Sequence, residues 1–101
     1  MSFARSCSNF HLENGHVLVA TAQDVHGNWR ESRIDLNGFI GNQDGWFMWD
    51  GENFANSARD IRLEGSRLTA ELPKRDGGYR ERQGIELNDR IGNDNGRLVF
   101  V

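Results

Sequence analysis

The chain of 101 residues repeats itself. Residues 3–50 lie on residues 54–101 when Asn14 in the first copy and Gly84 in the second are treated as single insertions, and 18 of the 47 paired positions are identical. Ordinary residue usage would give about 6% identity by chance. The matches come in blocks: Phe3-Ala4-Arg5-Ser6 on Phe54-Ala55-Asn56-Ser57, Leu12-Glu13 on Leu63-Glu64, Arg30-Glu31 on Arg80-Glu81, and Ile34 through Gly45 on Ile85 through Gly96. This is a duplicated unit, with repeat 1 spanning 1–50 and repeat 2 spanning 51–101. Two copies are too few for a solenoid, and about 50 residues hold little core alone. A single domain over 1–101 is expected, a compact body with pseudo-twofold symmetry whose halves share strands. Its matching loops then lie at opposite ends.

Comparing the copies separates inside from outside. Leu18, Ala20 and Ala22 match Leu68, Ala70 and Leu72, apolar in both, while Val17, Val19 and Thr21 match Arg67, Thr69 and Glu71. Period two with one reliably apolar face predicts a half-buried strand. By the same logic Phe47 and Trp49, matching Leu98 and Phe100, point inward, whereas Trp46 matches Arg97 and points out. Asn, Asp and Gly supply 30 residues, which favours many turns and short strands over long helices. Gly41-Asn42-Gln43-Asp44-Gly45 and its twin Gly92-Asn93-Asp94-Asn95-Gly96 read as tight reversals, as do His26-Gly27-Asn28 and Asp76-Gly77-Gly78. The stretch from Phe54 to Arg62, and its twin after Phe3, is expected to form a turn or two of helix. The class is all-β with short 3-10 or helical turns.

Several function classes fall away. Net charge is −3, so a basic phosphate-tracking surface is disfavoured and no nucleic-acid partner is expected. No apolar run approaches the roughly 18 residues of a membrane span, so no membrane insertion is expected. Cys7 is the one cysteine, which excludes an intrachain disulfide. Met1 to Cys7 shows no basic region followed by an apolar stretch, so cytoplasmic residence is expected, with unconventional release left open. His11, His16 and His26 lack convergent partners, so neither a metal nor another cofactor is expected. Cys7 has no adjacent base, and a chain this short leaves little room for a glycosidase cleft, so the protein reads as no enzyme. What remains is amides, carboxylates and arginines on loops. These match the vicinal hydroxyls of a sugar, or else simply cap their own turns.

The ordered set Ser32-Arg33-Ile34-Asp35-Leu36-Asn37, Ile40 with Gly41-Asn42-Gln43-Asp44-Gly45, Trp49, Asn53-Phe54 and Ile91-Gly92-Asn93 with Gly96 resembles the cyanovirin-N homologue (CVNH) lectins over nearly the whole chain. The resemblance implies a cyanovirin-N-like fold of two pseudo-domains, each a three-stranded sheet plus a β-hairpin, with strands exchanged between the repeats. It implies metal-independent binding of mannose-rich glycans, often α1,2-linked mannose, with mannose-containing oligosaccharides or glycoproteins as partners. Carried over by position, one site draws on Ser2, Arg5, Ser6, Gln23, Asp24, Val25, Asn93, Asp94 and Asn95. The other draws on Gly41, Asn42, Gln43, Asp44, Glu52, Asn53, Asn56, Ser57, Lys74 and Arg75.

The departures are informative. Cys7, Ala22, Ala58 and Leu72 stand where cyanobacterial members carry two disulfides, placing the chain with a cysteine-poor, fungal-like branch in which apolar packing replaces the cross-links. The hinge Asp50-Gly51-Glu52 has Gly where the founding member has Pro, so a monomer is expected, with a domain-swapped dimer open through this hinge. Val25 and Gly77 replace polar sugar-contacting residues of that member. The alternative function is a protein-interaction module on the same scaffold, anchored by Trp46 or Trp29.

Overall fold

The structure is a computed structural model that describes residues 3–101. Its strands are β1 (Cys7–Glu13), β2 (Val17–Gln23), β3 (Trp29–Asp35), β4 (Ile40–Gln43), β5 (Trp46–Trp49), β6 (Arg59–Glu64), β7 (Arg67–Glu71), β8 (Gln83–Glu86), β9 (Ile91–Asp94) and β10 (Arg97–Phe100). Single 3-10 turns cover Phe3–Arg5, Leu36–Gly38, Phe54–Asn56 and Leu87–Asp89. Strands β1-β2-β3 and β6-β7-β8 form two antiparallel sheets, and β4-β5 and β9-β10 form two hairpins. The body is elongated, with Cα extents of 51 × 21 × 17 Å.

The hairpins change sides. β10, from repeat 2, packs on β3 of repeat 1, and β5 of repeat 1 packs on β8 of repeat 2. The backbone N–H of Leu98 on β10 donates to the Ser32 hydroxyl on β3 at 3.0 Å. Twin asparagines lock the exchange. Asn37 Oδ1 accepts from Ala55 N, and Asn88 Oδ1 accepts from Ala4 N, each at 3.1 Å. Each thus ties the 3-10 turn of one repeat to that of the other. Asn37 and Asn88 are identical between copies because this bond is made twice.

One continuous apolar cluster runs through both halves. It includes Phe3 and Phe54, which open the 3-10 turns Phe3–Arg5 and Phe54–Asn56, with Leu18, Leu36, Ile40, Leu68, Leu87 and Ile91. Ala20, Ala22, Ala70 and Leu72 are buried, and Phe47 and Trp49 pack against the cluster while Trp46 is exposed, as the period-two pattern predicts. Val19 and Thr69 are buried as well, although the pattern predicts an outward face there. β2 and β7 are the central strands of their sheets, so side chains from both neighbours cover them. The Thr69 hydroxyl receives Arg82 and donates to Glu64.

The helix expected from Phe54 to Arg62 is one 3-10 turn followed by β6. The stretch instead carries a bulge. Asp60 sits at φ 54° and its twin Asn9 at φ 52°, where the pairing of β6 with β7 and of β1 with β2 slips. Asn and Asp enter the left-handed region at low cost, which fits them to this place. Cys7 pairs with Ala22 across β1 and β2, both buried, and Ala58 packs on the core. At the hinge, a Cβ on Gly51 would lie 2.8 Å from Gly41 N and Cα, so two backbones cross there. Gly51 is required by close approach, while the left-handed conformations fall on Asp50 and Asn53.

Candidate functional site

Each half builds the same junction, in which a hairpin tip from one repeat meets a turn of the other. In the second half the Asn42 side chain donates from Nδ2 to Pro73 O at 3.0 Å and accepts Gly45 N at 2.8 Å. Arg75 N donates to Asp44 Oδ1 at 2.9 Å, and Arg80 donates to Asp44 O at 2.8 Å. In the first half Asn93 donates to Gln23 O and to the Ser6 hydroxyl, each at 2.9 Å, and accepts Gly96 N at 2.8 Å. Val25 N donates to Asn95 Oδ1 at 2.9 Å. The two halves match except in two bonds: Asn93 also holds Ser6, and the bond from Arg80 to Asp44 O has no twin, because Arg30 donates to Asp24 instead.

The structure therefore gathers the expected residues into two clusters. Gln43, Asp44, Lys74 and Arg75 meet at the second junction, with Glu52 beside them because its backbone lies against Gly41. Asn53 N donates to Asn37 O, and Ser57 O receives the Tyr79 hydroxyl at 3.2 Å, which draws the 53–57 segment toward the turn that ends at Tyr79. Asn56 is exposed on that segment. Ser6, Gln23, Val25, Asn93 and Asn95 meet at the first, with Arg5 and Asp94 exposed next to them in the chain. Ser2 lies outside the described residues.

Position and role diverge for several of them. Asn42 and Asn93 are framework, since their amides dock each hairpin and close its turn. Gly41 is buried, and its part is the backbone crossing with Gly51 and Glu52. Asp24 is 7% exposed, and its carboxylate accepts from His26 N, Asn28 N and Arg30 Nε, each at 2.9 Å. It organises the turn and is covered by Arg30. That bond to Arg30, then the Asn28 N–H, hold its carboxyl below the usual range. Asp44 is also held low, first by the Arg75 N–H and then by the charges of Arg75, Arg80 and Lys74. Exposed at one junction are Gln43, Glu52, Asn53, Asn56, Ser57 and Arg75, and at the other Arg5, Gln23, Val25, Asp94 and Asn95.

Sequence reasoning missed Arg80. Its guanidinium carbon lies 4.0 Å from the ring centroid of Trp46. The signal was present in the duplication. Arg80 aligns with Arg30, but Asp24, the partner of Arg30, aligns with Lys74.

Comparison with known proteins agrees with this architecture. The family profile of the CVNH domain matches residues 3–99. A cyanovirin-N homolog of Tuber borchii is 50% identical over 103 residues, covering 99% of both chains. The solved structure of the T. borchii CVNH matches with a TM-score of 0.90 at 49% identity, covering 100% of each chain. A microvirin:mannobiose complex matches at TM-score 0.86 and 27% identity, over 99% of this chain and 98% of that one. A MoCVNH3 variant in complex with (N-GlcNAc)4 matches at TM-score 0.90 and 27% identity, over 98% and 96%.

Proposed function

The chain belongs to the CVNH-domain family, and from that premise we propose that it is a lectin for mannose-rich glycans, α1,2-linked mannose among them, binding through one or two metal-independent sites. The observation that carries the reading is the paired junction. In each half a hairpin of one repeat is docked by asparagine on a turn of the other, leaving amide, carboxylate and guanidinium groups on the rim. Those groups offer both donors and acceptors to vicinal hydroxyls. Relatives that hold mannobiose and an N-acetylglucosamine tetramer on the same fold support a saccharide ligand.

Each hydroxyl contact replaces one to water and nets about 0.5–1.5 kcal/mol, so a single site is weak. Two sites engaging one branched glycan would add avidity. Calorimetric titration with α1,2-mannobiose tests the reading, using Asn53→Ala with Arg75→Ala for the second half and Arg5→Ala with Asp94→Ala for the first. These side chains hold no part of the hairpin docking described above. Loss of binding in one half per double variant is expected, and equal binding by the wild type and both variants would refute the sites.

A second reading, a protein-interaction module, draws on Val25 and Trp29, which are 75% and 53% exposed at the two ends of one loop. A pull-down that survives excess mannobiose would favour it.

A further inference from the structure

We infer that the second-half site extends into an aromatic subsite, in which the outward face of Trp46, held by Arg80, takes the C–H face of a second neutral hexopyranose in the same oligosaccharide. The inference rests on the saccharide reading above and adds residues that the family resemblance did not supply. Trp46 opens β5 directly opposite Gln43 of β4. Opposed side chains of an antiparallel pair stand on the same face, so the indole and the Gln43 amide stand side by side, flanking the Asp44-Gly45 tip. The indole is 50% exposed.

Arg80 fixes it from the other side. Besides stacking on the ring, Arg80 donates its backbone N–H to Leu72 O at 2.9 Å and its side chain to Asp44 O. The side chain crosses the hairpin tip so closely that a Cβ on Gly45 would sit 2.8 Å from Nε. That Nε is buried and, among the described residues, is the one buried side-chain nitrogen without a partner. An orphaned buried donor beneath a half-exposed indole is unfavourable for folding on both counts, which marks the pair as kept for another purpose.

The duplication supplies the contrast. At the equivalent place in the first half stand Asp94 and Arg97 in register, with Arg30 spending its Nε on Asp24. The cleft there is lined by Arg30, Glu31, Arg33, Asn95 and Arg97. At this hairpin position the first half is charged, whereas the second presents an amide beside an indole face. A pyranose ring carries its axial hydrogens on its faces and its hydroxyls around its rim. It therefore matches a flat π surface flanked by a group that both donates and accepts.

The test titrates a mannose monosaccharide, α1,2-mannobiose and a mannotriose into wild type, Trp46→Ala and Trp46→Phe, following the Trp46 indole N–H and the Asp44 and Arg75 amides by NMR. In the wild type the gain from one sugar to two is expected to be about five- to tenfold, with the indole signal moving only for the longer ligands. Trp46→Ala is expected to lose that gain and keep monosaccharide affinity, and Trp46→Phe to retain most of it. If Trp46→Ala does not fold, Trp46→Arg replaces it, since Arg97 shows that this hairpin position accepts arginine. Shifts at Asp44 and Arg75 with a still indole signal and unchanged length dependence in the variant would overturn the subsite while leaving the lectin intact. No shift at any of these groups with any sugar would overturn both.

Discussion

Replacing Asn42 by Ala separates a scaffold from a contact. The side chain makes two bonds, to Pro73 O at 3.0 Å and from Gly45 N at 2.8 Å. Gly45 is buried, so its N–H is left without a partner, at about 1–3 kcal/mol, and the lost bond to Pro73 adds about 1 kcal/mol. A total near 2–4 kcal/mol is a large share of the roughly 5–15 kcal/mol expected for a domain. At about 4–8 °C per kcal/mol, Tm should fall by about 8–32 °C. Asn93→Ala removes a third bond, to Ser6, and should cost about 1 kcal/mol more. Urea unfolding of both variants, beside sugar titration under conditions where each is folded, reads the two effects apart. An Asn42→Ala protein as stable as wild type but unable to bind sugar would refute the scaffold role and make Asn42 a direct ligand contact.

Three further outcomes are expected. Gly41→Ala places a Cβ 2.9 Å from Glu52 N and should destabilise by about 1–3 kcal/mol, seen as a lower urea midpoint with unchanged slope. Asp24 has a folded pKa below its unfolded value, so its contribution is complete above about pH 4 and is lost as pH falls through the folded value. Asp24→Asn should flatten that part of an acid-unfolding curve, and an unchanged curve would count against the turn bond. Burial raises the Cys7 thiol pKa, so a thiol reagent at neutral pH should modify it only as fast as the chain unfolds.

Much of the architecture was legible because the chain records it twice. Positions apolar in both copies, such as Leu18 and Leu68, are core, and the Gly-Asn-x-x-Gly segments are hairpins. What the pattern does not show is which side chains hold the scaffold. Asn42 and Asn93 are identical because each docks a hairpin, a demand created by strand exchange and invisible in local pattern. Asp24 looked like an exposed loop carboxylate, but three donors converge on it only when the turn closes and Arg30 lies across it. The helical turn expected after Phe54 forms over Phe54–Asn56 but stops short of Arg62, because β6 begins at Arg59 and carries the left-handed Asp60. Val19 and Thr69 were misplaced because burial of a central strand depends on what its neighbours lay over it.

Sugar binding at interlocked repeats is tested most directly by amide NMR during titration with α1,2-mannobiose. Ligand in the second-half site should move Gln43 and Asp44 of repeat 1 together with Lys74 and Arg75 of repeat 2, along a single binding isotherm. Perturbation confined to one repeat, or none at either junction across a broad glycan panel, would contradict it.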